Sequence, residues 1–175
     1  MQENRTNPLV IGCVIAFGFI VIAVALLFAI FIYGIKSGAL ASIEALPADK
    51  IPQRQLNDIS TIISLRPNEK ILYFYSSAMT VSGDGNLFTN ERVISYTAEE
   101  GQNQVFSADY DEIQSVTLHR SDSWIEDSTL EVLLNDGTTI VLWVSPENDK
   151  DVDFHAKLQD QMESHHVLQK DGLSR

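Results

Sequence analysis

Histidines and carboxylates near the C-terminal end are the first candidates for chemistry, because imidazole and carboxylate groups are common metal ligands. The group comprises His155, Glu163, His165 and His166. Adjacent side chains on a helix point about 100° apart, so His165 and His166 cannot easily share one ion. His155 lies ten residues before His165, which is too far along a helix for a compact site without other ligands. The pattern indicates a solvated helix end and predicts no metal site.

Two other polar groups lack the spacing that catalysis or cation binding requires. His119, Arg120 and Asp122 lie at the end of a predicted strand and are typical of a strand end and loop. A set of carboxylates lacks the regular spacing and the glycine of a calcium loop; it comprises Asp109, Asp111, Glu112, Glu126 and Asp127. The only cysteine, Cys13, lies in an apolar stretch. With no nucleophile and base in a recognisable context, the sequence predicts a protein that is not an enzyme and has no cofactor.

The two tryptophans lie in different surroundings. Trp124 lies in the polar run SDSWIEDS between two predicted strands, where a large aromatic side chain is a candidate contact for a partner. Trp124 and Ile125 are therefore the candidate binding residues, with the alternative that Trp124 folds back onto the domain. Trp143 lies in the apolar run IVLWV, which predicts a place in the core or in the wall of a β-barrel.

The longest apolar stretch covers residues 9–35 and contains no charged side chain. As a helix these residues span roughly 40 Å, enough to cross a hydrocarbon core of about 30 Å with some tilt. This predicts a single-pass transmembrane helix that anchors the chain in a lipid bilayer. The run Ala39-Leu40-Ala41 mimics a signal-peptide cleavage site, but the apolar region of a secretory signal is only about 7 to 15 residues long.

Flanking charges and small residues bear on the topology of this helix. Arg5 precedes it, whereas Lys36, Lys50 and Arg54 follow it. Since lysine and arginine are enriched in cytoplasmic flanks, the rest of the chain is predicted to be cytoplasmic. Small residues four apart would let two such helices pair, which leaves a homodimer open as an alternative; they are Gly12 with Ala16 and Ala25 with Ala29.

The part of the chain outside this helix is strongly acidic. The sequence has 24 Asp and Glu against 12 Lys and Arg, and its net charge is −12. Residues 1–35 contribute one charge of each sign. Such a domain repels nucleic acid and anionic lipid headgroups, so no nucleic-acid partner is expected. The remaining length suits one domain with its own core.

Residues 36–67 are predicted to be a linker outside the core, with one short amphipathic helix. Between Pro52 and Pro67, apolar residues recur at spacings of three and four, which is the helical pattern; they are Leu56, Ile59, Ile62 and Ile63. We expect this stripe to pack on the following domain. The alternative is a helix that rests on the membrane surface, although Arg54 is the only cation of its polar face.

From residue 69 onward, runs rich in β-branched and aromatic residues alternate with polar turns. The runs KILYFYSSAMTV, NLFTN, VISYT, VFSADY, IQSVTLHR, STLEVLLN and TTIVLWVS predict six to seven strands. Residues 82–86 supply the first reversal, and the dipeptide Asp136-Gly137 favours a tight final hairpin. A helix that starts near Ser145 or Asp149 is predicted to cap the open end of the strands with an apolar stripe; the stripe comprises Val152, Phe154, Leu158, Met162 and Val167.

Three of these runs and one short motif carry a family resemblance. The runs are NEKILYFY, LFTNERVISY and YDEIQSV, and two paired strands before a helix follow them. The most specific part is a T-N-x-R-hydrophobic element, formed by Thr89, Asn90, Arg92, Val93 and Ile94. From Asn68 to about Gln161 the chain resembles a bacterial pleckstrin-homology-like (PH-like) domain, related to the GRAM domains. The resemblance implies a mainly β fold, a bent seven-stranded barrel closed at one end by the C-terminal helix.

The resemblance adds the limits of a barrel domain to the segments predicted above, and it implies a class of partner. The limits are a polar tail (1–8), the transmembrane helix (9–35), the linker (36–67), the PH-like barrel with its terminal helix (68–168) and a tail (169–175). Eukaryotic members bind phosphoinositides through basic loops, whereas the corresponding loop SGDGN has no lysine or arginine, which disfavours such a site. Bacterial members are generally thought of as assembly or protein-interaction modules.

These observations predict a non-enzymatic protein-interaction or assembly module with an unidentified protein partner. It is expected in the bacterial inner membrane, as a single-pass protein with a cytoplasmic domain. The alternative is a membrane-tethered sensor of a lipid or small ligand, which predicts a specific bound molecule.

Overall fold

The computed structural model describes residues 8–99, 102–123 and 125–172, with side chains over 12–99, 102–123 and 125–165. The described helices are α1 (Pro8–Lys36), α2 (Gln53–Ile62) and α3 (Lys150–Gly172). The described strands are β1 (Leu46–Pro47), β2 (Ile71–Tyr75), β3 (Asp84–Thr89), β4 (Arg92–Glu99), β5 (Gln102–Asp109), β6 (Ile113–His119), β7 (Ser128–Leu134) and β8 (Thr139–Val144). Single turns of 3-10 helix cover Ala48–Lys50, Tyr110–Glu112 and Glu147–Asp149. The seven predicted strands are present, and the two-residue β1 is an addition.

The strands form two antiparallel sheets. The first has the order β1-β2-β3-β4-β5 and the second has the order β6-β7-β8. Within each sheet every strand pairs with its neighbour in sequence. Among the described strands no ladder joins the two sheets, so the bent barrel is open rather than closed. The predicted fold, mainly β with a C-terminal helix, is confirmed.

The inner faces of the two sheets enclose the main core together with α3. Tyr73 and Phe88 stack with their ring centroids 5.5 Å apart, and Phe154 of α3 meets Phe88 edge-on at 4.9 Å. Leu130 and Leu142 of the second sheet are fully buried in the same cluster. The C-terminal helix therefore closes the core, as its apolar stripe predicts.

One member of that stripe is placed differently from the prediction. Phe154 and Leu158 are fully buried and Met162 packs against the core, but Val152 is 41% exposed. Asp151 points inward instead, and its Oδ2 accepts hydrogen bonds from Ser128 Oγ (2.7 Å) and Arg120 Nε (3.1 Å). Val152 is turned away because this polar contact fixes the start of α3. The side chain of Val167 lies outside the described residues.

The outer face of the first sheet is also apolar, and the preceding segment covers it. Ile71, Leu87 and Ile94 on this face cluster with Ile59 and Ile63. The predicted packing of the α2 stripe on the domain is therefore confirmed. The expectation that the segment lies outside the core is wrong, because β3 and β4 are buried on both faces and their sheet needs a cover on each side.

The first hairpin turns earlier than predicted. β2 ends at Tyr75 instead of continuing through SSAMTV. The Asp84 carboxylate accepts hydrogen bonds from Ser76 Oγ (2.6 Å) and from the Ala78 amide (3.1 Å), which folds the intervening residues into a loop. The last hairpin has the predicted tight turn, where Gly137 has a φ of +86°.

α1 includes the predicted apolar span and ends in a well-defined turn. Gly12–Lys36 is long and apolar enough, by length and composition, to cross a membrane. The amides of Gly38 and Ala39 donate to the carbonyls of Ile35 and Gly34, respectively, with Gly38 at a φ of +72°. This is a Schellman motif, which ends a helix and fixes the direction in which the chain leaves it.

Candidate functional site

The T-N-x-R motif forms a buried ion-pair network. The Glu69 side chain is fully buried, and its Oε1 accepts hydrogen bonds from Arg92 Nε (2.8 Å) and Thr89 Oγ1 (2.9 Å). Arg92 Nη2 also donates to Ser64 O at 2.9 Å. Burial raises the pKa of Glu69, but the hydrogen bonds from Arg92, the Arg66 amide and Thr89 outweigh it, so the pKa lies below its ordinary value. The motif therefore joins three segments of the chain and has a structural role.

The histidines considered as metal ligands lie beside separate backbone carbonyls. His155 Nε2 is 3.4 Å from Val116 O, and His165 Nε2 is 3.1 Å from Asn90 O. The side chain of His166 lies outside the described residues. Over the part of the chain that the structure describes, no three His, Cys, Asp or Glu side chains are grouped to hold a metal ion.

The polar groups considered for catalysis or calcium binding are also dispersed. Asp109 accepts a forked pair of hydrogen bonds from Arg66, at 2.7 and 3.0 Å, and its amide donates to Glu112. Arg120 is engaged by Asp151 at the start of α3. Asp109, Glu112 and Arg120 therefore each have a structural partner.

A groove of about 530 Å³ lies where α1 meets the domain, and we name it the helix-base groove. Its wall contains Phe31 of α1 and residues of four segments, 40–43, 75–79, 125–127 and 145–147. These segments are the chain after α1, the β2–β3 loop, the β6–β7 loop and the residues after β8. The groove is thus formed by loops of both sheets and by the helix itself.

Backbone hydrogen bonds position the wall of the helix-base groove. The Ala41 amide donates to Met79 O at 2.9 Å, which joins the segment after α1 to the β2–β3 loop. Gln55 of α2 is buried, and its Nε2 donates to Leu40 O at 2.8 Å. The end of α1, α2 and the first hairpin are therefore connected as one unit on one side of the groove.

Three large apolar side chains on the loops of the wall are exposed. Met79 is 75% exposed, Ile125 is 73% exposed and Ile43 is 57% exposed. Ile125 is one of the two predicted binding residues, whereas Trp124 lies outside the described residues. Sequence reasoning missed Met79 because it assigned SSAMTV to a strand. A lone methionine among serine and threonine residues before a glycine-rich turn is the signal that would have placed Met79 in a loop.

The charged residues of the wall are all acidic. They are Glu126, Asp127 and Glu147, and the wall contains no lysine or arginine among the described residues. Tyr75 Oη donates to Asp127 Oδ1 at 2.8 Å. Burial raises the pKa of Asp127, and this effect outweighs the hydrogen bond from Tyr75, which lowers it. Burial also raises the pKa of Tyr75, so its hydroxyl stays protonated and donates.

A second groove lies at the open side of the barrel, between the first sheet and β8. Trp143, Val141 and Phe106 line it. Trp143 is 48% exposed because β8 alternates, with Leu142 and Val144 facing inward. The sequence predicted that Trp143 lies either in the core or in the barrel wall. The first prediction is wrong, because the residue lies in the wall and faces outward.

Comparisons with known proteins bear on the family of the chain. Residues 65–158, more than half of the sequence, match the family described as Bacterial PH domain. A solved structure of a pleckstrin-homology-domain protein from Shewanella loihica has 18% identity and a TM-score of 0.45, and the match covers 69% of this chain and 94% of that chain. A pleckstrin homology domain from Shewanella amazonensis has 18% identity and a TM-score of 0.43, with 61% and 84% covered. No curated protein sequence matches the chain.

Proposed function

Because the chain belongs to the bacterial PH domain family, we propose that it is a non-enzymatic protein-interaction or assembly module held at a membrane by α1. The length and composition of Gly12–Lys36 support the anchor, since about 20 apolar residues suffice to span a bilayer. In this proposal residues 9–35 lie in the bilayer and residues 68–168 form the binding domain. The more basic C-terminal flank of α1 supports a cytoplasmic position for that domain.

The exposed apolar rim of the helix-base groove is the observation that carries this proposal. Met79, Ile125 and Ile43 are apolar side chains on loops, and each is more than half exposed. Large exposed apolar side chains grouped around one groove are typical of interaction sites in soluble domains. We propose that Ile125, with its neighbour Trp124, contacts the partner there.

The charge of the domain supports a protein partner over a nucleic acid. The chain carries a net charge of −12, and polyanions are repelled by such a surface. Asp109, Glu112 and Arg120 are held by structural partners, which supports a role without catalysis.

A sensor of a lipid or small ligand is the second candidate function. The volume of the helix-base groove, about 530 Å³, falls within the usual range of small-molecule sites. Tyr75 and Asp127 supply a hydrogen-bonded pair in a wall that contains both apolar and polar residues. A bound molecule that co-purifies with the chain would favour this candidate.

Site-specific photo-crosslinking in native membranes tests the proposal. A photoreactive residue at Ile125 or at Met79 of the full chain is expected to capture the same protein. That protein, when tagged and purified, should in turn retain the wild-type chain and lose the Ile125→Asp variant. Val105 provides a matched control position, because it is apolar and 44% exposed but lies outside the groove wall.

The outcomes separate the candidates. Capture of one protein at Ile125 and Met79 but not at Val105 supports the interaction module. Capture of a small molecule alone supports the sensor, and capture of a second copy of the chain supports the homodimer that the small residues of α1 allow. Equal capture at all three positions would contradict a binding site in the helix-base groove.

A further inference from the structure

We infer that the helix-base groove binds the lysine- and arginine-rich segment that flanks a transmembrane helix of another membrane protein. This inference rests on the proposed function and names the class of partner. It follows from three properties of the groove: its charge, its distance from the bilayer, and the rigidity of its connection to α1.

The charge of the groove fits a basic occupant. Glu126, Asp127 and Glu147 all lie on its wall. Asp127 already accepts the Tyr75 hydroxyl, whereas Glu126 and Glu147 have no ion-pair partner among the described residues. Two carboxylates on the wall of the groove are therefore available to lysine or arginine side chains. The same carboxylates repel an anionic lipid headgroup.

The groove lies at the level of the membrane surface when α1 spans the bilayer. Phe31, in its wall, precedes Lys36, the last residue of α1, by five residues, which corresponds to about 7.5 Å along the helix axis. In another membrane protein, the segments that lie at the membrane surface are the ones next to its own transmembrane helix. On the cytoplasmic side such segments are enriched in lysine and arginine.

The connection between α1 and the groove is short and fixed. The chain reaches the wall of the groove at Leu40 directly after the Schellman turn at Gly38. A Cβ atom on Gly38 would lie 2.7 Å from Pro52 Cβ, so this turn is packed against the segment that leads into α2. With Leu40 O also bound by Gln55 Nε2, the groove is held at the base of α1, within reach of segments that flank other transmembrane helices.

The side-chain chemistry of the groove matches lysine and arginine in detail. Both residues have long aliphatic stems that pack on apolar surface while the charged head reaches a polar group. Met79 and Ile125 offer the apolar surface, and Glu126 lies next to Ile125 in the wall. Methionine also adapts its shape to different stems. The groove thus fits a short segment in which basic and apolar residues alternate.

Reconstitution with defined peptides tests this inference. The full chain, with a photoreactive residue at Met79, is placed in phosphatidylcholine nanodiscs with one of two single-span peptides. One peptide has a juxtamembrane tail of lysine, arginine and leucine, and the other has glutamine in place of every basic residue. We expect at least about tenfold more crosslinking to the basic tail, falling as salt is raised.

Substitutions locate the effect in the groove. The double variant Glu126→Gln, Glu147→Gln should reduce crosslinking to the basic tail about tenfold. The control double variant Asp160→Asn, Glu163→Gln removes the same charge from exposed positions of α3 and should change little. Thermal unfolding of both variants checks that the fold is intact.

Equal crosslinking of the two tails, no crosslinking of either, or an unchanged signal in the groove variant would overturn the inference. In nanodiscs that contain phosphatidylglycerol, capture of this lipid at Met79 in place of the basic tail would overturn it as well. The proposed function fails separately, in native membranes, when no protein is captured at Ile125 and Met79. A captured protein without a transmembrane helix would preserve that function and overturn only this inference.

Discussion

The buried carboxylate of Glu69 is stable because other parts of the chain donate hydrogen bonds to it. Arg92 supplies two of them, at 2.8 and 3.1 Å, Thr89 supplies a third, and the Arg66 amide donates at 2.7 Å. Since Arg92 is itself 14% exposed in its side chain, both charges are largely removed from water. Such a pair is costly to break, because the remaining partner is left buried without compensation.

Replacing Glu69 by glutamine is therefore expected to lower the free energy of unfolding by about 3 kcal/mol at neutral pH. The folded-state pKa of Glu69 lies below its ordinary value, so its contribution is present above the unfolded-state pKa of about 4.3 and is lost as pH falls through the folded-state pKa. The difference between wild type and Glu69→Gln should shrink below about pH 4. Thermal unfolding of the full chain in detergent across this pH range measures it.

The matched control for this prediction is Glu163→Gln on the exposed face of α3. Its effect on the free energy of unfolding should stay within about 0.5 kcal/mol at every pH. A Glu69→Gln variant as stable as this control at neutral pH would show that the network contributes little.

At the residue scale the sequence predicts motifs but not their distant partners. The T-N-x-R element can be recognised in the sequence. Its partner Glu69 lies 20 to 23 residues from Thr89 and Arg92, and the sequence does not distinguish it from an acidic residue on the surface. Ile125 is predicted from its polar loop. Ile43 is not, because its exposure depends on where the chain turns after α1.

At the element scale, the two-sided burial of the first sheet explains why α2 belongs to the domain. The stripe of α2 is readable from spacing alone, so its packing is predictable. Its integration into a core is not, because alternation in β3 and β4 is obscured where both faces are apolar. The end of β2 is mispredicted for a related reason. The Asp84 carboxylate terminates the strand through hydrogen bonds, and strand propensities of single residues carry no information about such bonds.

Truncating Ile59 to alanine is expected to lower the free energy of unfolding by about 3 kcal/mol. Ile59 is fully buried against the outer face of the sheet, so the substitution leaves a cavity that α2 cannot fill without moving. The matched control is Ile62→Ala, the same change at a partly buried position of the same helix, with an expected loss of about 1 kcal/mol. Urea unfolding of the full chain in detergent measures both.

Equal and small losses for the two variants would mean that α2 rests loosely on the sheet. In that case the segment before residue 64 would behave as the linker that its composition suggests.

At the scale of the whole molecule, an apolar helix is joined to an acidic domain by a short, fixed turn. The chain after residue 35 carries the whole net charge of −12, so under the proposed anchoring an anionic bilayer repels the domain while the Schellman turn holds it close. Under that proposal, the geometry of the turn, and not electrostatic attraction, sets which face of the domain lies nearest the membrane. That face includes the helix-base groove, because Phe31 of α1 is part of the groove wall.

Cysteine labelling determines on which side of the membrane the groove lies. Cys13 is the only cysteine, so Ile125→Cys in a Cys13→Ser background gives one exposed thiol at the groove. We expect a membrane-impermeant maleimide to label it only after spheroplasts are lysed, because Lys36, Lys50 and Arg54 place the basic flank on the C-terminal side. Glu3→Cys in the same background should show the opposite pattern. Labelling of Ile125→Cys in intact spheroplasts would put the groove outside the cell, where flanking segments carry few basic residues, and the inferred partner would lose its physical basis.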